Sequence, residues 1–438
     1  MGSYTETGRS RPREVEERGA RPLDTEEKVR LGLLALPTFA LALAITTVST
    51  YLSEVTRRYT HHTTVIGAII GGEGVMALWV PLLAGAWSDT LRTRIGGRLP
   101  FVLAGTIPAA VALALIGVAS SLGLVAIVAG VFFGFYFVAY EPYRAMYPDL
   151  LDEDRIAGRA QSSQALARGV GTGCALLGGG LLLSLGRAVP FLAAAAILVT
   201  AVGAFVALAL RRDLPTQRQR SKGIGPLQVA RRLPLLVRRH PALRAYFVAN
   251  ALWEMALAGL KAFIVLYLTI GLHFKLATAS LIIGGVALVI LIGAGMAGKA
   301  GDRFGRLRVI TVALICYGTG YCALIFTTSR AVLVAAVPLL AIGGGAVMTL
   351  AYAILMPLMP EDEHGALTGY YSLSRGVGIV SGPILAGVLI TVTAHGPFSG
   401  THGLQAMWIV CSAAAFASLL FVRRLRDAAE DRRQLERG

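Results

Sequence analysis

Five ionisable residues fall inside long apolar stretches of this sequence: Glu73, Arg168, Glu254, Lys261 and Arg375. At the centre of a membrane-spanning helix each would cost ~2.5–3.5 kcal/mol, so five uncompensated groups would cost roughly 12–17 kcal/mol. Such residues are expected to face one another or a wet cavity. The chemistry open to them is proton exchange by the carboxyl groups and hydrogen bonding of a polar solute by the cations. Three cations against two carboxylates leave one excess positive charge, which suits a polar or weakly anionic solute.

The elements that must position these groups are spanning helices. Hydrophobic residues make up 55% of the 438 positions and charged residues 15%, against ~25% charged in an average soluble chain. That composition excludes a string of soluble domains. A spanning helix needs ~20 mostly apolar residues. Twelve such runs are present, near 31–52, 65–86, 100–120, 122–141, 160–186, 189–210, 242–271, 276–297, 308–327, 331–356, 366–393 and 404–422. The first thirty residues are mixed-charge and lack an apolar core, so no cleavable signal peptide is expected and the first span serves as its own insertion signal. All four cysteines (Cys174, Cys316, Cys322, Cys411) lie in apolar stretches, and no disulfide framework is implied.

Of the 41 Lys and Arg residues, 33 fall on the side of the two termini and five on the other. This bias predicts a plasma-membrane protein with both termini cytoplasmic. It also accounts for most of the +16 net charge, which in a soluble chain would suggest nucleic acid. No aromatic-interleaved basic platform accompanies these loops, so no nucleic-acid partner is expected. The predicted organisation is a tail (1–30), a six-helix bundle (31–210), a basic linker (211–241), a second six-helix bundle (242–422) and a second tail (423–438). The linker reads as a solvated tether with a short amphipathic helix, able to lie against anionic lipid.

The two halves repeat each other. Ile70-Gly71-Gly72 with Gly85 recurs as Ile283-Gly284-Gly285 with Gly298, and Leu166-Ala167-Arg168-Gly169-Val170-Gly171 recurs as Leu373-Ser374-Arg375-Gly376-Val377-Gly378. Six duplicated helices predict an all-α, twelve-helix membrane fold of two pseudo-symmetric bundles, with a solute site at mid-membrane between them. The repeat also sorts the charges. Arg168 and Arg375 correspond, and could either bind a solute through their forked donors or latch the halves. Glu73 aligns with Val286; a carboxylate present in one half alone is not required by the scaffold. In a low-dielectric surround such a group can exchange a proton near neutral pH, and Glu73 is the first candidate for a coupling site. Glu254 is the second. Lys261 lies seven residues beyond Glu254, which returns to the same helix face after ~10.5 Å, so the two should line one cavity. Trp253 and Tyr267 could stack on a solute ring or anchor the helix at the interface.

After the eighth span the sequence reads Gly298-Lys299-Ala300-Gly301-Asp302-Arg303-Phe304-Gly305-Arg306-Leu307-Arg308. This closely resembles the G-x-x-x-D-R-x-G-R-x-R signature of the major facilitator superfamily, and the resemblance extends over residues 31 to 422. The first half carries a lengthened form, Gly85 through Ser88-Asp89 and Arg92, Arg94, Gly96-Gly97-Arg98 to Pro100. That form, with Pro142-Tyr143-Arg144-Ala145 and Pro148-Asp149-Leu150, resembles the sucrose–proton symporters and the wider glycoside–pentoside–hexuronide branch, with Gly97 where a basic residue is usual. In the turns, Gly permits a tight bend, and Asp89 and Asp302 can pair with Arg94, Arg98, Arg303 and Arg306 as a conformational latch.

The resemblance implies secondary transport of a sugar or glycoside-like solute by proton symport, and assigns solute contact on span five to Arg168. Sodium-using relatives carry clustered aspartates near the end of span two; Ala77-Leu78-Trp79-Val80-Pro81 has none. A proton-antiporting exporter of drugs or secondary metabolites is the alternative. Exporters of this kind carry a G-x-x-x-G-P-x-x-G-G run on span five, whereas Gly169 to Ala175 lack the proline and a Gly378, Gly382-Pro383, Gly387 series lies on span eleven. A receptor or scaffold without transport is the more distant alternative. No H-E-x-x-H run and no glycine-rich phosphate loop is present, so neither enzyme activity nor ATP as a cofactor is expected. His61 and His62 read as an exposed loop, not a metal site. The expected partners are a small-molecule solute, protons and lipid, with the monomer as the working unit.

Overall fold

The computed structural model describes residues 24–150, 153–212, 240–358 and 367–435. Among them are twelve helices long and apolar enough to cross a membrane. In chain order they are α1 (Thr25–Arg57), α2 (Thr63–Thr90), α3 (Leu99–Val118), α4 (Leu122–Leu150), α5 (Glu153–Leu185), α6 (Val189–Arg211), α7 (Pro241–Leu266), α8 (Leu276–Phe304), α9 (Arg306–Ile325), α10 (Arg330–Leu355), α11 (Leu367–Thr393) and α12 (Met407–Leu435). A single π turn, Tyr267–Gly271, prolongs α7.

Each predicted span lies within one of these helices or overlaps it closely, but several helices run further. α4 continues to Leu150, α5 begins at Glu153 and α8 reaches Phe304. A helix satisfies its backbone hydrogen bonds internally, so it need not stop where the hydrocarbon does. For the same reason α12 continues to Leu435 through most of what reads in sequence as a tail. Residues 1–23 of the first tail and 213–239 of the basic linker lie outside the described residues.

Local chemistry sets the helix ends. Asp24 caps α1, accepting from the Glu27 backbone N–H at 2.6 Å while Glu27 accepts from the Asp24 N–H at 3.0 Å. Pro100, Pro190 and Pro241 occupy first-turn positions of α3, α6 and α7, where the missing N–H is not needed. Gly96 and Gly305, in the two equivalent signature turns, both have φ of 91°, a conformation that favours glycine. Two buried threonine hydroxyls in α1 are satisfied within the helix: Thr47 donates to the Leu43 carbonyl at 2.8 Å and Thr56 to Leu52 at 2.7 Å.

The packing repeats the sequence repeat. α1 packs on α5 and α6, as α7 does on α11 and α12; α4 packs on α2 and α3, as α10 does on α8 and α9; α3 meets α6, as α9 meets α12. Across the halves α2 packs on α11 and α5 on α8, and α1 meets α7. Odd-numbered helices start on the face that carries the termini and end on the opposite face.

The hydrogen bonds described between the halves all lie toward that opposite face. Tyr51 on α1 and Ser280 on α8 are joined at 2.6 Å, and Ser280 donates to the Leu176 carbonyl of α5 at 2.5 Å while accepting from the Gly180 N–H at 3.0 Å. Thr63 on α2 donates to the Gly387 carbonyl of α11 at 2.8 Å and lies 2.9 Å from the Thr391 hydroxyl. Small residues make this possible. A Cβ on Gly67 would stand 2.2 Å from the Pro383 carbonyl oxygen, and one on Gly387 would stand 2.4 Å from that of Thr63. Close backbone approach of this kind is how helices gain contact in lipid.

Candidate functional site

Four of the five membrane-embedded charges come together. Glu73 from α2, Glu254 and Lys261 from α7, and Arg375 from α11 line one cavity with Ser49, Ile70, Leu257, Ala258, Ile379 and Pro383. Its volume is about 30 Å³, room for one or two waters and too small for a sugar.

Glycines set the geometry. A Cβ on Gly74 would lie 2.5 Å from the Val380 backbone nitrogen, so α2 and α11 touch beside Glu73; Cβ atoms on Gly378 and Gly382 would each lie 2.3 Å from a carbonyl oxygen of α7, Ala251 and Met255 respectively. α11 is thus pressed between α2 and α7. There the Arg375 Nε–H donates to Glu254 Oε1 at 2.8 Å. Glu73 has no ion pair within 4 Å among the described residues; the cations it senses most strongly are Lys261 and then Arg375.

Arg168 is not part of this cavity lining. It is exposed on α5, and its Nη2 donates to the Tyr140 hydroxyl of α4 at 2.9 Å. Its repeat partner Arg375 is salt-bridged, so the two arginines of the duplicated motif have different surroundings.

Trp253 and Tyr267 are not placed to stack on a solute. Both are 1% exposed. Trp253 packs edge-on to Tyr246 at 6.3 Å, and Tyr267 edge-on to Trp408 at 5.3 Å. The reason is helical phase: Glu254, Leu257, Ala258 and Lys261 form an i, i+3, i+4, i+7 stripe on the cavity face of α7, and positions 253 and 267 fall off it.

The signature turns show local contacts. Asp302 pairs with Arg306 at 4.0 Å, and Arg306 Nη1 donates to the Ala353 carbonyl of α10 at 2.8 Å. The Arg303 guanidinium stands 5.2 Å from the Phe304 ring centre. These contacts stay within the second half and join no residue of the first. In the first half Arg94 is exposed and Arg98 is buried at the start of α3; the side chain of Asp89 lies outside the described residues.

The structure also brings in residues that sequence reasoning passed over. Ser49 lines the cavity, Tyr140 holds Arg168, and Tyr371 lies under the Arg375 guanidinium at 5.6 Å. None carries a charge, so none stands out in an apolar run; the i, i+4 spacing of Tyr371 and Arg375 was the one local signal, and Tyr140, 28 positions before Arg168, had none.

Twelve spanning helices in two like halves around a buried cluster of charges define a multi-pass membrane protein of secondary-transporter architecture. The chain belongs to the Major Facilitator Superfamily, whose family profile matches residues 34–290 and 245–438. It is 25% identical over 150 residues to multidrug resistance protein 3 of Bacillus subtilis (strain 168), covering 34% of this chain and 27% of that one. It is 26% identical over 142 residues to a D-xylose transporter of Levilactobacillus brevis, covering 32% and 29%. The matched part therefore spans under a third of either relative's length. Among solved structures, the fold is similar to that of a bacterial homologue of the human lysosomal transporter Spinster in an inward-facing, unoccupied conformation. The TM-score is 0.75 at 15% identity, covering 93% of this chain and 99% of that chain. The family and the transporters among these relatives point to a transporter, not an enzyme.

Proposed function

We propose that this protein is a secondary active transporter that moves a small polar solute, sugar or glycoside-like, across the plasma membrane by alternating access, with protons as the coupling ion and both termini cytoplasmic. The observation that carries the reading is Glu73: a carboxyl group at mid-membrane, with no ion pair among the described residues, sharing a cavity with Lys261 and the Arg375–Glu254 pair. Protonation of Glu73 leaves the Lys261 charge uncompensated and free to hold solute oxygen atoms; loss of the proton returns Lys261 to Glu73 and displaces the solute. The seam of hydroxyls on the face opposite the termini closes one side while the other admits the solute. The lengthened first-half loop around Asp89, the Pro142–Leu150 segment and the similarity to a D-xylose transporter support the sugar side of this reading.

Similarity to multidrug resistance protein 3 favours a second reading, proton-driven export. Proteoliposomes separate the two. Purified protein is challenged with a panel of glycosides while external pH is followed, with Glu73→Gln alongside. Alkalinisation outside on adding one glycoside, lost in the variant, is the expected result. No response to any glycoside, with proton-driven dye efflux instead, would overturn symport in favour of export.

A further inference from the structure

Toward the face opposite the termini, α2 and α4 draw apart. Their last close contact on this side is at Met76, whose sulfur lies 3.7 Å from where a Cβ on Gly134 would stand. Beyond it the two helices flank an open groove of about 430 Å³, lined by Thr64, Val65, Ala68 and Gly72 of α2 and by Ala126 and Gly130 of α4. Its glycines do not serve helix contact. A Cβ on Gly67 or Gly74, which face α11, would stand 2.2 Å or 2.5 Å from backbone atoms of that helix, whereas at Gly72 and Gly130 nothing lies within 4 Å.

The groove opens on the lipid-facing surface. Val65 and Ala68 are exposed on its α2 side, and Ile127 is 67% exposed on its α4 side. Apart from the Thr64 hydroxyl its lining side chains are apolar, which leaves water too few polar partners. The length fits one leaflet. From Thr64 to Met76 is twelve residues, about 18 Å of helix at ~1.5 Å each, and half of a ~30 Å hydrocarbon core is ~15 Å. One acyl chain reaching from the interface to the bilayer centre spans that distance.

The mouth suits a phosphate. The connection from α1 to α2 crosses to the turn before α4, where the Tyr59 hydroxyl donates to the Ala119 carbonyl at 2.5 Å. It carries exposed Arg58, His61 and His62 up to the first turn of α2. His62 gives that turn no side-chain acceptor, so its free N–H groups and the positive end of the helix dipole favour an anion. Arg57 and Arg58 both act on one carboxylate, Glu54, which leaves one positive charge in excess.

We propose that the α2–α4 groove binds one phospholipid from the leaflet opposite the termini, an acyl chain filling the groove and the phosphate held by Arg58 and the first turn of α2. The site stands apart from the solute reading above, since it requires only that these helices span a bilayer. Its position gives the lipid a hold on the closed seam. Thr64 lines the groove, and its hydroxyl is 3.0 Å from that of Thr391 on α11. A chain seated here supports α2 from the side away from α11.

The test is native mass spectrometry of the full chain, stripped of lipid in detergent and titrated with dioleoyl phosphatidylglycerol. One molecule should be retained at saturation. Dioleoylglycerol, the same chains without the phosphate, should bind at least about tenfold more weakly, the size of one charge-assisted hydrogen bond. Glycerol phosphate, the headgroup alone, should not be retained. Gly130→Leu fills the groove and should abolish retention; Gly203→Leu, at an equally open and exposed position on α6, should not. Arg58→Gln should bring phosphatidylglycerol to the affinity of dioleoylglycerol. Equal retention by Gly130→Leu and the unmodified chain overturns the proposal and places the lipid elsewhere, and equal binding of the two dioleoyl lipids overturns it as well. A dimer that dissociates in Gly130→Leu, or a hydrophobic dye retained in preference to the lipid, also overturns it and makes the groove a self-association face or a solute entry.

Discussion

The Arg375 guanidinium donates to the Glu254 carboxylate at 2.8 Å and so ties α11 to α7 at the depth where Glu73 and Lys261 also lie. Arg375 repeats Arg168 in sequence, yet among the described residues only Arg375 is paired with a carboxylate on a neighbouring helix. Duplication supplied two arginines; divergence of their neighbours gave them different partners.

Glu254→Gln leaves Arg375 without its partner. Losing one member of a buried pair costs about 3–5 kcal/mol, but the Arg375 side chain is 37% exposed and solvent screening reduces this to about 1–2 kcal/mol. Thermal unfolding in nanodiscs should show a lower Tm, partly restored in Glu254→Gln/Arg375→Gln. Equal stability of all three proteins would mean the pair contributes nothing.

Glu73→Gln keeps the shape of the side chain and removes its proton chemistry. Solute exchange between equal concentrations on the two sides should persist, whereas uphill accumulation driven by a proton gradient should fall at least about tenfold. Counterflow and accumulation assays on the same vesicles check this, and loss of both together would point to Glu73 as a binding group alone.

Tyr51→Phe removes the hydroxyl that joins α1 to Ser280 of α8. Interhelical hydrogen bonds in lipid average about 0.6 kcal/mol, so the population closed on the face opposite the termini should fall about threefold. Spin labels at the ends of α1 and α8 on that face should report more of the longer distance. An unchanged distance distribution would show that the glycine contacts alone close this side.

Gly378→Ala places a methyl group where 2.3 Å separates it from the Ala251 carbonyl oxygen, whereas at Gly173 nothing lies within 4 Å. Overpacking costs about 1–3 kcal/mol. Gly378→Ala should lower Tm, and Gly173→Ala, also within a helix, should leave it unchanged or raise it slightly. Comparable melting of the two variants would contradict the contact.

The number of spans, the doubling of six helices and the charges worth examining were all legible in the chain. Hydropathy reports the hydrocarbon thickness directly, a repeat survives as identical residues such as those around Arg168 and Arg375, and an ionisable group in an apolar run is conspicuous whatever surrounds it. The i, i+7 relation of Glu254 and Lys261 was legible for the same reason, because helical phase is local. What tertiary structure decided is which of these groups meet. Arg375 reaches Glu254 because Gly378 and Gly382 let α11 press on α7; Arg168, with the same local sequence, turns to Tyr140. Trp253 and Tyr267 look like cavity residues when only their neighbours in sequence are known, and helix-to-helix packing buries them instead. The seam of Tyr51, Ser280, Thr63 and Gly387 joins residues more than two hundred positions apart. Uncharged and unremarkable in composition, such residues acquire a role only when two helices come into contact.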